Sequence, residues 1–430
     1  MGSLKRKQNL LIGVSLAAIL GVLGVGQSML EKAAAQAPQA PKFEVDPMWP
    51  KPLPNHWLLG SAIGVSVDAQ DHVWIIHRGG GTLNARTEMG AATNPPTAVE
   101  CCIPAPPVLE FDPAGNLVGH WGGPGEGYEW PTSNHGITVD HKGNVWIGGN
   151  GQEDAHVLKF TKTGKFLAQF GKSNARRGPD AVPTGTAGQA AAAGAPASPQ
   201  ATYVGNSNDP NNFGRVAKIF VDAKTNEAYL SDGYLNKRVA VIDADSGKLK
   251  RYWGAYGNKP DDTDPGRYNP DAPVAQQFRN PVHCAELSND GFVYVCDRPN
   301  DRIQVFTPAG KFVKEIFVEK KTLGDGSTWD IAFSKDPQQR YLYLADGKNE
   351  KVYIIQRDTM QILTSFGDGG RQPGQFFAVH SIATDSKGNI YTTETYEGKR
   401  LQKFVYKGMG PVRTDRGLGG VAWPAKPSGN

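Results

Sequence analysis

Three histidines recur at one place in a repeated sequence pattern. His135, His283 and His380 each stand five residues before the Asp or Ser that ends a short apolar strand and opens a turn. Aligned in this way, six repeats carry at this position, in order, Ile63, His135, Ala217, His283, Trp329 and His380. Three imidazoles around an approximate three-fold axis form the ligand set of catalytic zinc sites with an open fourth position. The spacing therefore predicts a metal centre, with zinc favoured over calcium and with copper, iron or cobalt as alternatives.

A less specific explanation is that unrelated polar side chains line a wet channel. Because three of the nine histidines share one position in alternate repeats, the metal centre is the preferred prediction. Five other histidines fall in predicted turns or loops and are given no role: His56, His72, His120, His141 and His156.

The elements that must position the histidines are six copies of one pattern, each with four short strands separated by Gly-, Asn- or Asp-containing turns. A period near 40 residues is typical of propeller blades. The sequence therefore predicts an all-β protein, a six-bladed β-propeller with four antiparallel strands per blade. In such a fold the first strand of each blade lines the central channel. The sixth copy lacks a clear fourth strand, and we expect Phe43–Glu44–Val45 to supply it and close the ring.

The chain divides around this propeller, which is predicted over residues 57–410. Residues 1–37 have a basic start, an apolar run and the small-residue tripeptide Ala35–Gln36–Ala37, as in a cleaved signal peptide or a membrane anchor. Residues 38–56 form a Pro-rich tether that contains the closing strand. Residues 173–212 are predicted to be a disordered surface insertion, and residues 411–430 a tail. We therefore expect an exported protein, periplasmic or extracellular, with a possible N-terminal anchor.

Composition limits the partners. The formal net charge is +4, of which +3 lies in the first 37 residues, so the remainder offers no charge argument for nucleic acid or an anionic membrane. We expect a monomer with a small-molecule or peptide substrate that carries a carboxylate, no nucleic acid, and no membrane partner beyond the anchor.

Four cysteines are present. Cys284 and Cys296 flank a predicted turn, so they form either a disulfide or two buried thiols. Cys101 and Cys102 are adjacent in a Pro-rich loop, and neither pair has zinc-finger spacing.

Residues directly after the second strands should reach the channel mouth nearest the histidines. Arg78 stands there, followed by glycines, and the residue before it is His77 rather than the acidic residue of most other repeats. Tyr234 and Tyr396 share a similar rim position, where most tyrosines only pack. Arg298 resembles ordinary repeat sequence.

These motifs together resemble NHL-repeat propellers and, more narrowly, the peptidyl-α-hydroxyglycine α-amidating lyase family. The resemblance spans residues 57–407 and rests on His–Arg–Gly at 77–79, Asn–His–Gly at 134–136, Ser–Asp–Gly–Tyr at 231–234, Pro–Val–His at 281–283 and Val–His–Ser at 379–381. It implies that His135, His283 and His380 bind zinc and that Arg78 and Tyr234 serve the substrate. Ser381 stands where the family has an acid that holds a structural calcium, which leaves calcium doubtful, although Val65 and Ile137 match positions that offer carbonyl ligands. Leu235 replaces the family's cysteine.

The implied reaction is that of a carbon–nitrogen lyase, which splits an α-hydroxyglycine amide into an amide and glyoxylate. In this hypothesis zinc binds the substrate hydroxyl or carboxylate and lowers the pKa of the hydroxyl. Arg78 binds the carboxylate or stabilises developing charge, and Tyr234, ionised or partly so beside a cation, takes the hydroxyl proton. Two alternatives stay open: a propeller lactonase or other hydrolase, and a non-catalytic exported scaffold.

Overall fold

Residues 38–181 and 200–412 are described by a computed structural model. The predicted export segment, the centre of the insertion at 182–199 and nearly all of the predicted tail lie outside the described residues. Within the described ranges, no helix is long and apolar enough to cross a membrane.

Six sheets of four antiparallel strands form the body of the molecule. The strands of blades one to three are Ser61–Val67, Val73–Arg78, Val108–Phe111 and Leu117–Trp121; Asn134–Val139, Asn144–Gly149, His156–Thr161 and Phe166–Gly171; and Val216–Asp222, Glu227–Asp232, Arg238–Asp243 and Leu249–Trp253. Those of blades four to six are Val282–Leu287, Val293–Asp297, Arg302–Phe306 and Phe312–Phe317; Asp330–Phe333, Tyr341–Asp346, Lys351–Gln356 and Gln361–Phe366; and Val379–Thr384, Ile390–Glu394, Arg400–Pro411 and Gln39–Asp46.

The first strand of each blade contacts the first strands of both neighbouring blades, and blade six contacts blade one. The six first strands therefore surround a central channel. The predicted all-β, six-bladed propeller is confirmed, and the histidine position lies on the innermost strands.

The ring is closed by the N-terminal strand. Gln39–Asp46 pairs antiparallel with Arg400–Pro411, with Val45 opposite Phe404. Phe43 is buried and stacks edge-on against Tyr343 of blade five at 5.3 Å between ring centroids. The first described strand of the chain thus becomes the outermost strand of the last blade, as the missing fourth strand of copy six predicted.

The turn after each first strand explains why the repeat folds locally. In blade two the carboxylate of Asp140 accepts hydrogen bonds from the backbone N–H groups of Lys142 and Asn144 at 2.9 and 2.8 Å, and from Trp146 Nε1 at 2.9 Å. Gly143 has a φ of 78°, a left-handed conformation that glycine adopts without strain. One acid, one glycine and one tryptophan therefore fix the hairpin and the register of its strands.

Blades are held together by apolar side chains between their faces. Trp146 and Val157 of blade two pack in one buried cluster with Ile219, Leu230 and Ile242 of blade three. Each sheet covers one face of the next, which gives the channel a rigid wall.

The prediction of disorder for 173–212 is wrong at both ends of the segment. Arg177–Ala181 pairs with Gln200–Tyr203, and the buried guanidinium of Arg176 donates to the Phe213 carbonyl at 3.0 Å and contacts Asp209 at 2.8 Å. The buried Arg238 of blade three donates to the carbonyls of Ser207 and Asp209 at 2.9 and 2.8 Å and so anchors this arm, which its Ala- and Gly-rich composition did not indicate.

The other elements are short. They are the helical turns Gly79–Thr82, Gly90–Ala92, Ala255–Gly257 and Arg298–Asn300, and the parallel strand pair Trp57–Leu58 with Ile103–Pro104.

Of the two states considered for Cys284 and Cys296, the structure has the disulfide. The two residues are direct partners across the first two strands of blade four. A buried disulfide suits a protein that folds in an oxidising compartment.

Candidate metal centre

The three predicted histidines meet inside the channel. One ligand nitrogen from each of His135, His283 and His380 lies within 4.8 Å of the other two, and their ring centroids are 4.8 to 5.1 Å apart. All three side chains are buried. Each histidine is the second residue of the first strand of its blade, so the three enter the channel at one depth.

The neighbouring blade orients each imidazole. Nδ1 of the three rings lies 2.7, 2.5 and 2.6 Å from the carbonyl oxygens of Ala217, Trp329 and Ile63. A carbonyl only accepts hydrogen bonds, so each Nδ1 carries the proton and each Nε2 keeps its lone pair. The three carbonyls belong to the residues that occupy the histidine position in blades three, five and one. The ring thus alternates an imidazole with the carbonyl that supports it, as second-layer partners do around metal-binding histidines.

Electrostatics keep the imidazoles neutral. Burial is the largest cause that lowers the pKa of all three, and it takes that of His380 to about 3. Nearby positive charge adds to the effect, from Arg298 at His283 and His380 and from Arg78 at His135. Neutral imidazole is the form that binds a metal ion.

Tyr234 points into this cluster. Its hydroxyl oxygen lies 2.9 Å from His135 Nε2 and 3.0 Å from His283 Nε2. A hydroxyl has one proton, so it can donate to only one of these two lone pairs at a time. The excess of acceptors around one point is relieved by a cation, and a donor set of three imidazoles suits zinc. The residues present therefore fit the metal that the sequence predicted.

Arg78 stands at the mouth, anchored by blade two. Its Nε donates to the Asn134 carbonyl at 3.1 Å, and one terminal nitrogen donates to Asn150 Oδ1 at 2.7 Å. Burial lowers its pKa, opposed by the nearby Tyr234 and Tyr396. The guanidinium is thus held beside the centre.

His77 stands where most repeats have an acidic residue. In blade four, Asp297 at the end of the second strand accepts the Arg279 N–H at 3.0 Å. In blade one, His77 occupies that place, and its Nδ1 accepts the Gly60 N–H at 3.1 Å. A buried neutral imidazole therefore replaces the structural acid, and burial lowers its pKa to about 4.

Arg298 is a site residue that sequence reasoning missed. It is only 6% exposed, and one terminal nitrogen lies 3.3 Å from the Tyr234 hydroxyl. Its guanidinium stacks 4.4 Å from the centre of the Trp329 ring. Its Nε is buried without a hydrogen-bond partner in the described part of the chain. The segment is repeat sequence, as predicted, but this side chain lies at the centre of the mouth.

A signal for Arg298 was present in the repeat alignment. In most blades an acidic residue stands near the end of the second strand. Arg78 in blade one and Arg298 in blade four both directly follow this position. In the same way Tyr234 and Tyr396 lie two residues after the acid in blades three and six. Blades three apart are opposite in a ring of six. The two arginines therefore face each other across the mouth, and so do the two tyrosines. Tyr396 is 51% exposed.

The remaining histidines lie outside the centre. For two of them the sequence predicted the wrong kind of element. His120 and His156 lie in strands rather than turns, and the buried His156 Nε2 is 2.7 Å from the Glu129 carbonyl. His72 pairs with Glu110 at 2.6 Å, and Asp68 brings a third ligand atom close to them. Asp68 already accepts from the Lys162 ammonium at 2.7 Å, so that group has a cation of its own.

A groove of about 560 Å³ is lined in part by residues that neighbour the site residues in sequence. Its lining includes Asn280, Pro299 and Gly324. Asn280 donates to the Gly233 carbonyl next to Tyr234 at 2.7 Å, and the other two residues flank Arg298 and Asp325 in sequence. The groove is large enough to take a substituent of a molecule whose reacting end lies at the histidines.

Comparisons with known proteins find distant similarity to amidating enzymes. No family model matches it. It is 28% identical over 267 residues to peptidyl-glycine alpha-amidating monooxygenase B of Xenopus laevis, covering 61% of this chain and 25% of that protein. It is 31% identical over 110 residues to the peptidyl-glycine alpha-amidating monooxygenase of Mus musculus, covering 25% of this chain and 10% of the relative. The match thus spans about a quarter or less of the length of these curated relatives.

Among solved structures, a streptogramin B lyase superposes with a TM-score of 0.49 at 13% identity, covering 85% of this chain and 98% of that one. A similarity of this size carries no functional argument. The strand pairing and the curated relatives together identify the protein as an NHL-like β-propeller that resembles the peptidylglycine alpha-amidating enzymes.

Proposed function

We propose that the protein is an exported, metal-dependent carbon–nitrogen lyase that converts an α-hydroxyglycine-type amide into an amide and glyoxylate. One observation carries the proposal: a tyrosine hydroxyl lies within 3.0 Å of two imidazole nitrogens of a buried triad and 3.3 Å from an arginine. This places a proton-transfer group, a metal ligand set and a positive charge around one point.

The reaction needs little beyond those groups. The substrate hydroxyl loses its proton, its oxygen forms the carbonyl of glyoxylate, the C–N bond breaks, and the nitrogen leaves as the amide after gaining a proton. A zinc ion held by His135, His283 and His380 would supply Lewis acidity beside that hydroxyl. No covalent nucleophile is required.

Tyr234 is the proton carrier in this proposal. In its ionised form, its oxygen accepts the hydroxyl proton and then returns it to the departing nitrogen, so the tyrosinate is regenerated and the same proton serves both steps. Arg298 positions this oxygen through the 3.3 Å contact and is itself fixed by stacking on Trp329.

Arg78 binds the substrate carboxylate. Two of its nitrogens are engaged by Asn134 and Asn150, which leaves one edge of the guanidinium to face the mouth. A carboxylate there forms charge-assisted hydrogen bonds that orient the α-carbon toward Tyr234. The groove beside Pro299 takes the acyl part of the amide.

A hydrolase of the lactonase type is less favoured, because the centre offers three neutral imidazoles rather than the carboxylate and amide oxygens that hold calcium. A binding scaffold does not account for a hydroxyl aimed at two unprotonated nitrogens.

Glyoxylate release from α-hydroxyhippurate by zinc-loaded protein is the direct test. We expect turnover by the wild type and a loss of 10²- to 10⁴-fold in kcat for Tyr234→Phe, a range typical of a removed general acid–base group. Tyr396→Phe, at the matching position of the opposite blade, should stay within about 3-fold. No glyoxylate from fully loaded wild type, or equal activity in both variants, would exclude the proposed reaction or the role of Tyr234.

A further inference from the structure

We propose that the Lys218 ammonium is a built-in structural cation of the channel, occupying a place that a divalent cation such as calcium would otherwise have to fill. Lys218, Glu286 and Asp330 form the charged layer, directly below the three histidines, which form the imidazole layer. The two layers share the lining of a cavity of about 10 Å³, room for about one water molecule.

The ammonium is surrounded by oxygen ligands. Its Nζ lies 2.7 and 2.9 Å from the two carboxylate oxygens of Asp330 and 2.8 Å from Glu286 Oε1. Asp330 Oδ2 also accepts from Ser381 Oγ at 2.6 Å and from the Ile382 N–H at 3.1 Å. Buried carboxylates from two blades, with a hydroxyl and nearby backbone, are the ligand types of a calcium site. Here these ligands already surround a cation, the Lys218 ammonium.

Burial and charge agree with a permanent ion. Lys218 and Asp330 side chains are 11% and 2% exposed. Burial lowers the pKa of Lys218, but the carboxylates of Asp330 and Glu286 outweigh it and raise that pKa above its usual value. The ammonium therefore stays charged at neutral pH.

The charged layer connects four blades on the channel axis. Lys218 belongs to blade three, Glu286 to blade four and Asp330 to blade five, while Ser381 belongs to blade six. Lys218 also lines the wider space of about 320 Å³ on the far side, so the cluster stands between that space and the histidines. We infer that it fixes the ring at the depth of the imidazole layer and leaves the arginine-lined mouth as the approach to the centre.

Calcium does not fit this place in the chain as it stands. The ammonium fills the position between the carboxylates, and Ser381 contributes a neutral hydroxyl. The protein should therefore need one kind of metal ion, at the histidines. This inference does not depend on the lyase reaction, because its readouts are unfolding temperature and calcium binding.

The test compares Lys218→Ala with Lys218→Met in full-length protein stripped of metal by EDTA and dialysed. Without calcium, both variants should unfold at least about 5 °C below the wild type, because two buried carboxylates lose their partner. Calcium chloride at 5 mM should raise the unfolding temperature of Lys218→Ala, whose cavity admits the ion. It should not raise that of Lys218→Met, whose side chain fills the cavity. Calorimetric titration should show one calcium per chain in Lys218→Ala and none in the wild type.

Three results would overturn the proposal: calcium binding and stabilisation of the wild type, a Lys218→Ala variant as stable as the wild type, or equal calcium responses in the two variants. Should Lys218→Ala fail to fold, Ser381→Asp provides the decision. With Lys218 retained, the carboxylate introduced at position 381 should not make the unfolding temperature respond to calcium. Such a response would mean that the ammonium does not occupy the cation position.

Discussion

The imidazole layer and the charged layer adjoin within one ring of innermost strands, yet their charge balance differs. The histidines belong to blades two, four and six, and the charged residues to blades three, four and five. The upper layer has three neutral imidazoles whose Nε2 lone pairs face one region and whose Nδ1 atoms are bound to carbonyls. The lower layer has an ammonium between two carboxylates. Imidazole lone pairs can bind a cation from outside, while a layer that holds its own ammonium already has a cation as folded. The built-in cation, rather than ligand type alone, separates the two layers.

Removing one imidazole should have the largest effect. We expect His283→Ala to weaken zinc binding at least about 1,000-fold, since a tripod reduced to two ligands no longer encloses the ion. Competition against a chromogenic chelator measures the affinity, and thermal unfolding without metal should show a folded protein.

His141→Ala is the matched control, because His141 is exposed in a turn of blade two. It should bind zinc as the wild type does. Full retention of zinc by His283→Ala would remove the basis for a three-histidine centre.

Breaking the charged layer should act on stability instead. Asp330→Asn should lower the free energy of unfolding by about 3 kcal/mol, because a buried ion pair loses one partner, and zinc should still bind. Urea unfolding of the stripped protein gives the value. In Lys218→Met/Glu286→Gln/Asp330→Asn, which removes all three charges of the layer, part of the loss should be recovered.

The exposed pair of Asp245 with Lys142, at 3.0 Å, is the comparison. Asp245→Asn should cost less than about 1 kcal/mol, as surface pairs do. If both Asp variants cost the same, the charged layer has no special structural role.

A positioning role of Arg298 predicts an intermediate effect on activity. Arg298→Met should lower kcat by about 100-fold while zinc affinity changes little, because Tyr234 loses the group that fixes its hydroxyl. Arg298→Lys should restore part of kcat. The exposed Arg340 gives a control, Arg340→Met, which should leave kcat unchanged; a loss confined to KM in Arg298→Met would assign the residue to substrate binding.

The smallest effect concerns a buried imidazole outside the centre. His77 has its pKa lowered from 6.5 to about 4 by burial, so the unfolded chain binds its proton first as pH falls. The stability that neutral His77 contributes is thus complete above pH 6.5 and is lost as pH falls from 6.5 toward 4. At pH 5 this amounts to about 2 kcal/mol.

His77→Gln keeps an acceptor for the Gly60 N–H and a donor for the Pro106 carbonyl, which lies 2.9 Å from His77 Nε2, without titrating. Urea unfolding at pH 7.5 and pH 5 should show a smaller decline for this variant than for the wild type. Parallel declines would place the acid sensitivity elsewhere.

Much of this architecture was predictable from short-range patterns. An Asp or Ser opens the turn in all six repeats, and a glycine equivalent to Gly143 follows in three of them, because these residues form their own hairpin. Blade number and strand order therefore follow from local sequence. The histidine position followed as well, since residues at equivalent places in a ring of repeats face one axis. The closing strand was indicated by an absence, the missing fourth strand of the sixth copy.

Other features depended on contacts between distant residues. Lys218 and Asp330 are 112 residues apart, and each alone resembles an ordinary charged residue. The strand register shifts beside His380 and near Lys218, which lets consecutive residues such as His380 and Ser381 both line the channel. Alternation along a regular strand would have directed one of them away.

The sequence by itself determined a ring of six β-sheets, its closure, and three histidines in alternate blades, because these depend on repeats and on hydrogen bonds within each hairpin. Only the tertiary structure decided which charges meet. Arg298 approaches Tyr234 of another blade, and Lys218 meets carboxylates from two others. Such pairings depend on how sheets pack around an axis, and burial, which gives them their strength, exists only once the ring has closed.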